Sequence, residues 1–204
     1  NVEEHHRLCQ VTPGLAVVLA GGDQASVLYA HRKEQACQEV GIFCQVFHLP
    51  QKTSQEELLE LIQQLNGDVR FHGILPQFPL PPHIDEAQVA RALSPDKDVD
   101  CLHPFNIGLL AMGEPVFVPA AALAVQQLLV RTDNDPAGRH VAVVCGRNVL
   151  LCNSLALLLA QERRGASAIV TVCRADAPDL ADFTRTADIL IASIESPRAI
   201  KADM

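Results

Sequence analysis

Short apolar runs alternate regularly along this sequence with longer segments of helical pattern, and few folds accommodate such an alternation. In the first half of the chain the apolar runs at residues 15–20, 44–49 and 71–75 predict buried strands. Helices are predicted at residues 24–40, 54–65 and 85–93, and the second of these opens with a pattern typical of a capping box. Strands joined through helices by short connections form βαβ units, so this half predicts a parallel sheet.

The second half repeats the alternation after an irregular stretch predicted at residues 98–119. Helices are predicted at residues 120–130, 154–162 and 178–186, and strands at residues 141–144, 169–172 and 189–192. A turn at Gly146 follows the first of these strands, and this order of strand, turn and helix is typical of nucleotide-binding folds. We therefore expect two α/β domains, residues 1–112 and 113–204, with the boundary near residues 108–118.

Composition limits the classes of partner. Apolar residues make up 49% of the 204 residues but aromatic residues only 4%, so the core is expected to be Leu, Val, Ala and Ile, as is usual for helices on a parallel sheet. A formal charge of −8 argues against nucleic acid and anionic membranes as partners, and no apolar run is long enough to span a bilayer. The seven cysteines form no Cys-x-x-Cys pair, and we expect buried free thiols in a reducing compartment.

The segment after the first strand presents a candidate site. A glycine pair that begins at Gly21 predicts a sharp turn, and Asp23 is a favourable N-cap for the helix that follows. On that helix Ser26, Tyr29 and Lys33 are spaced i, i+3 and i+7, so they share one face. Open α/β sheets bind their ligands beyond the carboxyl ends of their strands. This face therefore offers an aromatic ring and an amine at a position typical of ligand binding.

Three residues become specific only when they are taken together. Lys33 alone predicts a solvated lysine, Gln77 on its proline-stiffened loop a loop-capping amide, and Asp100 the end of a charged turn. The order Tyr29, Lys33, Gln77, Asp100, with His-Gly-Ile-Leu before Gln77 and Cys-Leu-His-Pro-Phe-Asn after Asp100, resembles one family. It is similar to the bifunctional methylenetetrahydrofolate dehydrogenase/methenyltetrahydrofolate cyclohydrolase family, and the resemblance covers essentially the whole chain.

The resemblance implies roles for these side chains. Folate would bind in the cleft between a catalytic domain and a Rossmann-like NAD(P)-binding domain. Tyr29 would pack on the p-aminobenzoyl ring, and Ser26 is expected among the substrate-binding residues. Lys33 would be the catalytic amine, Gln77 would hydrogen-bond to it, and Asp100 would accept the pterin N–H groups. A lysine serves hydrolysis of the methenyl bridge only if its pKa is brought down toward neutrality.

The second domain departs from the family pattern Gly-Arg-Ser-x-x-Val-Gly-x-Pro. Gly146 and Arg147 are kept, whereas Asn148 replaces the serine, Cys152 the second glycine and Ser154 the proline. Because a glycine there lets the backbone approach a phosphate, we expect the side chain of Cys152 to obstruct that approach. The expected cofactor-binding residues are Gly146, Arg147, Asn148 and, after the next strand, Arg174.

Further departures from the family lie elsewhere in the chain. Arg174 stands where the family has histidine and favours NADP over NAD. Glu195 replaces a glycine after the last strand and would repel phosphates. In the first domain Cys101 replaces a glycine and Pro76 a valine, and both substitutions could shift the neighbouring site residues.

The resemblance leaves more than one function open. The leading hypothesis is NAD(P)-dependent oxidation of 5,10-methylenetetrahydrofolate followed by hydrolysis to 10-formyltetrahydrofolate. The alternatives are a cyclohydrolase with an eroded dinucleotide site and a catalytically reduced folate-binding or interaction protein. We expect tetrahydrofolate derivatives as ligands, NADP or NAD as cofactor, no metal, a homodimer, and a chain truncated at both ends relative to the family. A cytoplasmic location is expected, with the mitochondrial matrix left open.

Overall fold

The structure is a computed structural model that describes residues 2–22, 24–146, 149–202 and 204. It divides into two compact units, Asn1–Asn106 and Ile107–Met204. Helix α5, Pro104–Ala111, runs across that division. The domain bounds 1–112 and 113–204 therefore remain a prediction, while two α/β units with parallel sheets are present as expected.

The first unit is a three-stranded parallel sheet with helices between its strands. Its elements are α1 Val2–Cys9, β1 Gly14–Ala20, α2 Gln24–Glu39, β2 Phe43–Leu49, α3 Gln55–Gly67, β3 Gly73–Pro76 and α4 Glu86–Ala92. The strand order is β2-β1-β3. Every strand and helix predicted here is confirmed to within two residues. The third strand begins at Gly73, two residues after the predicted start, and the ring of Phe71 is packed against Phe43 and Phe47.

The core of this unit lies around its central strand. Ala16, Val17 and Val18 of β1 are completely buried, as expected for a parallel strand covered on both faces. Helix α3 contributes Leu58 and Ile62, spaced i and i+4 on one face. Its first turn is closed by the predicted capping box, in which Ser54 and Glu57 exchange hydrogen bonds.

The second unit repeats the architecture. It contains α6 Ala120–Arg131, β4 His140–Cys145, α7 Val149–Ala160, β5 Ile169–Arg174, α8 Leu180–Arg185 and β6 Ile189–Ser193, with the parallel strand order β5-β4-β6. Residues 141–144 of the central strand β4 are completely buried.

Two sequence predictions about helices are wrong. Helix α5 lies inside the stretch predicted to be irregular: Pro104 opens it, and His103 Nδ1 accepts a hydrogen bond from Phe105 N at 3.0 Å. Helix α7 begins at Val149, five residues before the predicted start at residue 154. Residues 149–152 are apolar, and Cys152 among them is buried. The helix therefore starts ahead of Ser154, the polar residue at which the sequence predicted its start.

The cysteine prediction is also wrong for one pair. Cys145 at the end of β4 and Cys152 in the first turn of α7 form a disulfide, with their Cα atoms 6.1 Å apart. The strand-to-helix turn brings them together, which spacing alone does not reveal. Cys9, moreover, is exposed rather than buried. Among the described helices, none is both long and apolar enough to cross a membrane.

Candidate functional site

The turn between β1 and α2 is held by backbone and side-chain bonds. Gly21 has φ +93°, a conformation that favours glycine. Its N–H donates to Leu49 O at 3.0 Å, and His48 Nε2 donates to its carbonyl oxygen at 2.8 Å. The predicted N-cap, Asp23, lies outside the described residues. These bonds tie the start of α2 to the carboxyl end of β2.

Helix α2 carries the three residues that the sequence placed on one face. Ser26 is buried, Lys33 is half-buried, and Tyr29 has a relative accessibility of 54%. A ring so exposed beyond a strand end is accessible for stacking against a planar ligand. The amine of Lys33 lies one helical turn farther along.

Lys33 and Gln77 meet although 44 residues separate them. Lys33 Nζ donates to Gln77 Oε1 at 2.7 Å. Gln77 Nε2 donates to Phe78 O at 3.1 Å, so the amide has its oxygen turned toward the lysine. Gln77 N also donates to Val18 O at 2.8 Å, which extends the β1–β3 pairing past Pro76. Pro76 therefore does not detach Gln77 from the sheet.

Two opposing effects act on the protonation of Lys33. Burial lowers the pKa of Lys33 below its usual 10.5, and the negative charge of Asp100 opposes that shift in part. Asp100 therefore acts on the Lys33 ammonium through space. An amine with a lowered pKa next to an amide oxygen can take a proton from water and return it.

Asp98, two residues before Asp100, does not behave as the charge pattern indicated. The run at residues 96–100 predicts a solvated turn, whereas the carboxylate of Asp98 is fully buried. The one sequence signal that could have revealed it is the His-Pro helix start that follows, which supplies free backbone N–H groups near a carboxylate.

In the second unit, Gly146 occupies a tight position at the end of β4. Its N–H donates to Ser193 O at 2.7 Å, and an added Cβ would lie 3.0 Å from that oxygen and 3.2 Å from Ile194 Cα. Strand order reverses between β4 and β6, so this turn lies at the topological switch point where α/β sheets bind dinucleotides. The predicted residues Arg147 and Asn148 lie outside the described residues.

Cys152 was expected to obstruct a phosphate. Its side chain is buried, with a relative accessibility of 1%, in its bond to Cys145. It is thus directed into the unit rather than outward from the helix. This burial does not test whether Cys152 obstructs the approach of a phosphate, which stays a prediction.

Arg174 lies at the carboxyl end of β5, in register with Cys145 of β4. It is exposed, and its Nε lies 3.3 Å from Asp176 Oδ1. The Arg174 guanidinium holds the pKa of the Asp176 carboxyl below its usual value. A cation and a carboxylate at this strand end are the groups that meet the adenosine ribose in dinucleotide folds, so the described residues fit such a cofactor. Among them, no cluster of three His, Cys, Asp or Glu could hold a metal ion.

Comparison with known families agrees with both units. Residues 1–100 match the model of the catalytic domain of tetrahydrofolate dehydrogenase/cyclohydrolase, and residues 119–204 match that of its NAD(P)-binding domain. The chain belongs to the tetrahydrofolate dehydrogenase/cyclohydrolase family. The resemblance found in the sequence and the two-domain α/β fold are thereby confirmed.

Individual members of the family are similar along most of this chain. The bifunctional protein FolD of Dehalococcoides mccartyi is 45% identical over 194 residues, which is 95% of this chain and 65% of that protein. The FolD of Magnetococcus marinus is 47% identical over 91% of this chain and 63% of its own length. This chain therefore spans just under two thirds of the length of these relatives.

Solved structures of the tetrahydrofolate dehydrogenase/cyclohydrolase family superpose closely. A 5,10-methylenetetrahydrofolate dehydrogenase from the silkworm Bombyx mori has a TM-score of 0.90 at 36% identity, over 99% of this chain and 72% of that one. The dehydrogenase-cyclohydrolase of Trypanosoma brucei, solved with NADP and an inhibitor, has a TM-score of 0.90 at 33% identity. It is matched over 98% of this chain and 67% of its own.

Proposed function

We propose that this protein oxidises 5,10-methylenetetrahydrofolate with NAD(P) and hydrolyses the resulting methenyl bridge to give 10-formyltetrahydrofolate. The observation that carries the proposal is the bond from Lys33 Nζ to Gln77 Oε1, made by an amine whose pKa is lowered by burial. Family membership supplies the reaction class, and the geometry of α2 and β3 supplies the residues that would perform it.

The hydrolytic step assigns a proton path to Lys33. A water molecule adds to the cationic methenyl carbon and passes a proton to the neutral amine of Lys33. The bond from that carbon to N5 then breaks, and N5 takes a proton from the Lys33 ammonium. The added hydroxyl releases its remaining proton to solvent as it becomes the formyl C=O, and the formyl group stays on N10. Gln77 Oε1 holds the amine in place throughout, because its own amide nitrogen is committed to Phe78 O.

Substrate binding falls to three residues of the first unit. The exposed ring of Tyr29 would stack on the p-aminobenzoyl group, and Ser26 lies on the same helix. Asp100 would accept the parallel N–H groups of the aminopyrimidine edge, which a carboxylate can do with both oxygens. The Asp100→Ala variant tests the last of these assignments.

The hydride step uses the second unit. Gly146 and Arg174 would hold the dinucleotide, with Arg147 and Asn148 assigned by the family pattern. The bound nicotinamide supplies the hydride acceptor, and the protein contributes orientation. Both NADP and NAD remain candidates, because Arg174 favours a 2′-phosphate while Asp176 beside it suits a free ribose hydroxyl. A cytoplasmic location and a homodimer stay predictions.

The test follows each step separately. Purified protein should hydrolyse 5,10-methenyltetrahydrofolate, seen as loss of its near-ultraviolet absorbance, and Lys33→Met should abolish this. An unchanged rate in Lys33→Met would remove Lys33 from the mechanism. Oxidation of methylenetetrahydrofolate should proceed with NADP or NAD. Hydrolysis without oxidation at millimolar cofactor would instead support the cyclohydrolase-only alternative, and binding of neither folate nor dinucleotide would support the interaction-protein alternative.

A further inference from the structure

The first unit contains a buried carboxylate that the proposed chemistry does not use. Asp98 is fully buried, and its oxygens accept hydrogen bonds from Leu102 N at 2.9 Å, His103 N at 2.8 Å and Asn106 Nδ2 at 2.8 Å. A carboxylate removed from water is tolerated only when such donors satisfy it. These bonds close residues 98–106 into a compact turn, and Asp100 lies inside it.

The same residue ties the turn to β3. The backbone of Asp98 forms a parallel bridge with Ile74. Val99 packs over Gly73 so closely that a Cβ on that glycine would lie 2.5 Å from Val99 Cγ1. Because β3 leads directly into Gln77, the two loops that flank the amine of the proposed site are both positioned by one strand.

The turn also holds a strained residue. Cys101 has φ +55°, in the left-handed region that costs energy for any residue with a Cβ. The N–H of the next residue, Leu102, is the group bonded to Asp98 Oδ1. The Asp98 carboxylate therefore stabilises the left-handed backbone conformation of Cys101. If the Cys101 backbone relaxed from that conformation, the neighbouring residue Asp100 would rotate with it.

We propose that Asp98 is a positioning residue that acts through Asp100, by holding the turn that presents the Asp100 carboxylate to the folate. The inference rests on the proposed function, since it assumes that Asp100 binds the pterin edge. Asp98 itself, buried beneath the turn, touches no substrate. Asn106 shares the role, because its amide donates both to Asp98 and to Pro95 O at 2.9 Å.

The experiment measures tetrahydrofolate binding by calorimetry and hydrolysis of 5,10-methenyltetrahydrofolate on the full chain. Asp98→Asn should raise the Kd for tetrahydrofolate and the KM for the methenyl compound by about tenfold, the effect of losing one charge-assisted hydrogen bond. The midpoint of the kcat profile should move to lower pH, but by less than in Asp100→Asn, because a displaced Asp100 carboxylate raises the Lys33 pKa less. The matched control, Asp96→Asn, removes an exposed carboxylate from the same segment and should change neither constant.

A double-mutant cycle separates positioning from general destabilisation. In an Asp100→Ala background, Asp98→Asn should alter the Kd for tetrahydrofolate by less than about twofold, because the carboxylate it positions is gone. Effects that multiply in the double variant would overturn the inference. If Asp98→Asn does not fold, Asn106→Ala replaces it in the same double-mutant cycle. The Kd for tetrahydrofolate should then rise by about threefold, and this rise should vanish in the Asp100→Ala background.

The wild-type measurement distinguishes the two proposals. Failure of the unmodified protein to bind tetrahydrofolate would overturn the proposed function, and this inference with it. Binding by the unmodified protein, together with an Asp98→Asn variant of unchanged affinity, would overturn the positioning role alone.

Discussion

Lys33 Nζ lies 2.7 Å from Gln77 Oε1, and this hydrogen bond joins helix α2 to the loop that follows β3. The loop is held near the sheet because β1 pairs with β3 in a register that ends at Val18 and Pro76, and Gln77 N donates to Val18 O. The amine is thus fixed by an uncharged acceptor. A carboxylate in the same place would keep the lysine protonated.

The pH dependence of hydrolysis should report on Lys33. A step that needs the neutral amine speeds up as pH rises through the Lys33 pKa, so the kcat profile should have its midpoint below 10.5. Asp100→Asn removes the charge that raises this pKa and should move the midpoint to lower pH. A midpoint unmoved by Asp100→Asn, or moved upward, would contradict the electrostatic assignment.

The same lowered pKa links Lys33 to stability. The folded state binds this proton more weakly than the unfolded chain does, so the free energy of unfolding gains a contribution that increases with pH up to about 10.5. Lys33→Met should remove that contribution. Urea denaturation of both proteins at several pH values measures it, and parallel pH profiles would argue against a lowered pKa.

Replacement of the Gln77 amide by a carboxylate should counteract the lowering of the Lys33 pKa. Gln77→Glu places an anion where the neutral oxygen now lies 2.7 Å from Lys33, so the Lys33 pKa should rise and hydrolysis at pH 7 should slow by about tenfold or more. Gln77→Ala should slow hydrolysis without raising that pKa. The comparison of the two pH profiles separates charge from lost positioning.

Gly146→Ala should destabilise the protein and weaken dinucleotide binding. Its Cβ would lie 3.0 Å from Ser193 O and 3.2 Å from Ile194 Cα, backbone atoms that cannot give way easily, and overpacking of this kind costs about 1–3 kcal/mol. Gly108→Ala is the matched control, because no atom lies within 4 Å of its added Cβ and the helix gains up to about 1 kcal/mol. Thermal melts and titration with NADP and NAD measure both effects.

The disulfide between Cys145 and Cys152 should be detectable chemically. Under denaturing, non-reducing conditions, thiol titration should count five free cysteines, and after reduction all seven. Closing so short a loop is worth about 2.5 kcal/mol in the chain-entropy treatment, so Cys152→Ser should lower the melting temperature. Replacing the exposed Cys9 by serine should not, and seven thiols before reduction would refute the bond.

The pair Arg174 and Asp176 should set cofactor preference. Asp176→Asn leaves Arg174 unopposed, so the ratio of kcat/KM for NADP to that for NAD should rise several-fold. Arg174→Ala should lower that ratio, since the cation that would meet a 2′-phosphate is gone. Ratios that stay constant in both variants would place the adenosine ribose away from β5.

The helix and strand pattern was predictable because it depends on local spacing. Buried apolar runs marked β1 and β4 within a residue or two, and the i, i+3, i+7 spacing on α2 placed Ser26, Tyr29 and Lys33 on one helix. The resemblance to the family rested on the order of Tyr29, Lys33, Gln77 and Asp100 along the chain and on the motifs that flank Gln77 and Asp100. The roles of Lys33, Gln77 and Asp100 remain proposals that the variants above test.

Residue spacing along the chain was thus enough to predict the alternation of elements and the set of candidate side chains. The folded arrangement was needed to reveal the hydrogen bond between Lys33 and Gln77, the burial of Asp98, and the pairing of Cys145 with Cys152. Each of these requires segments to meet through strand pairing or a strand-to-helix turn. Such contacts, and the desolvation that shifts the pKa of Lys33, arise from packing in three dimensions, which residue spacing along the chain does not encode.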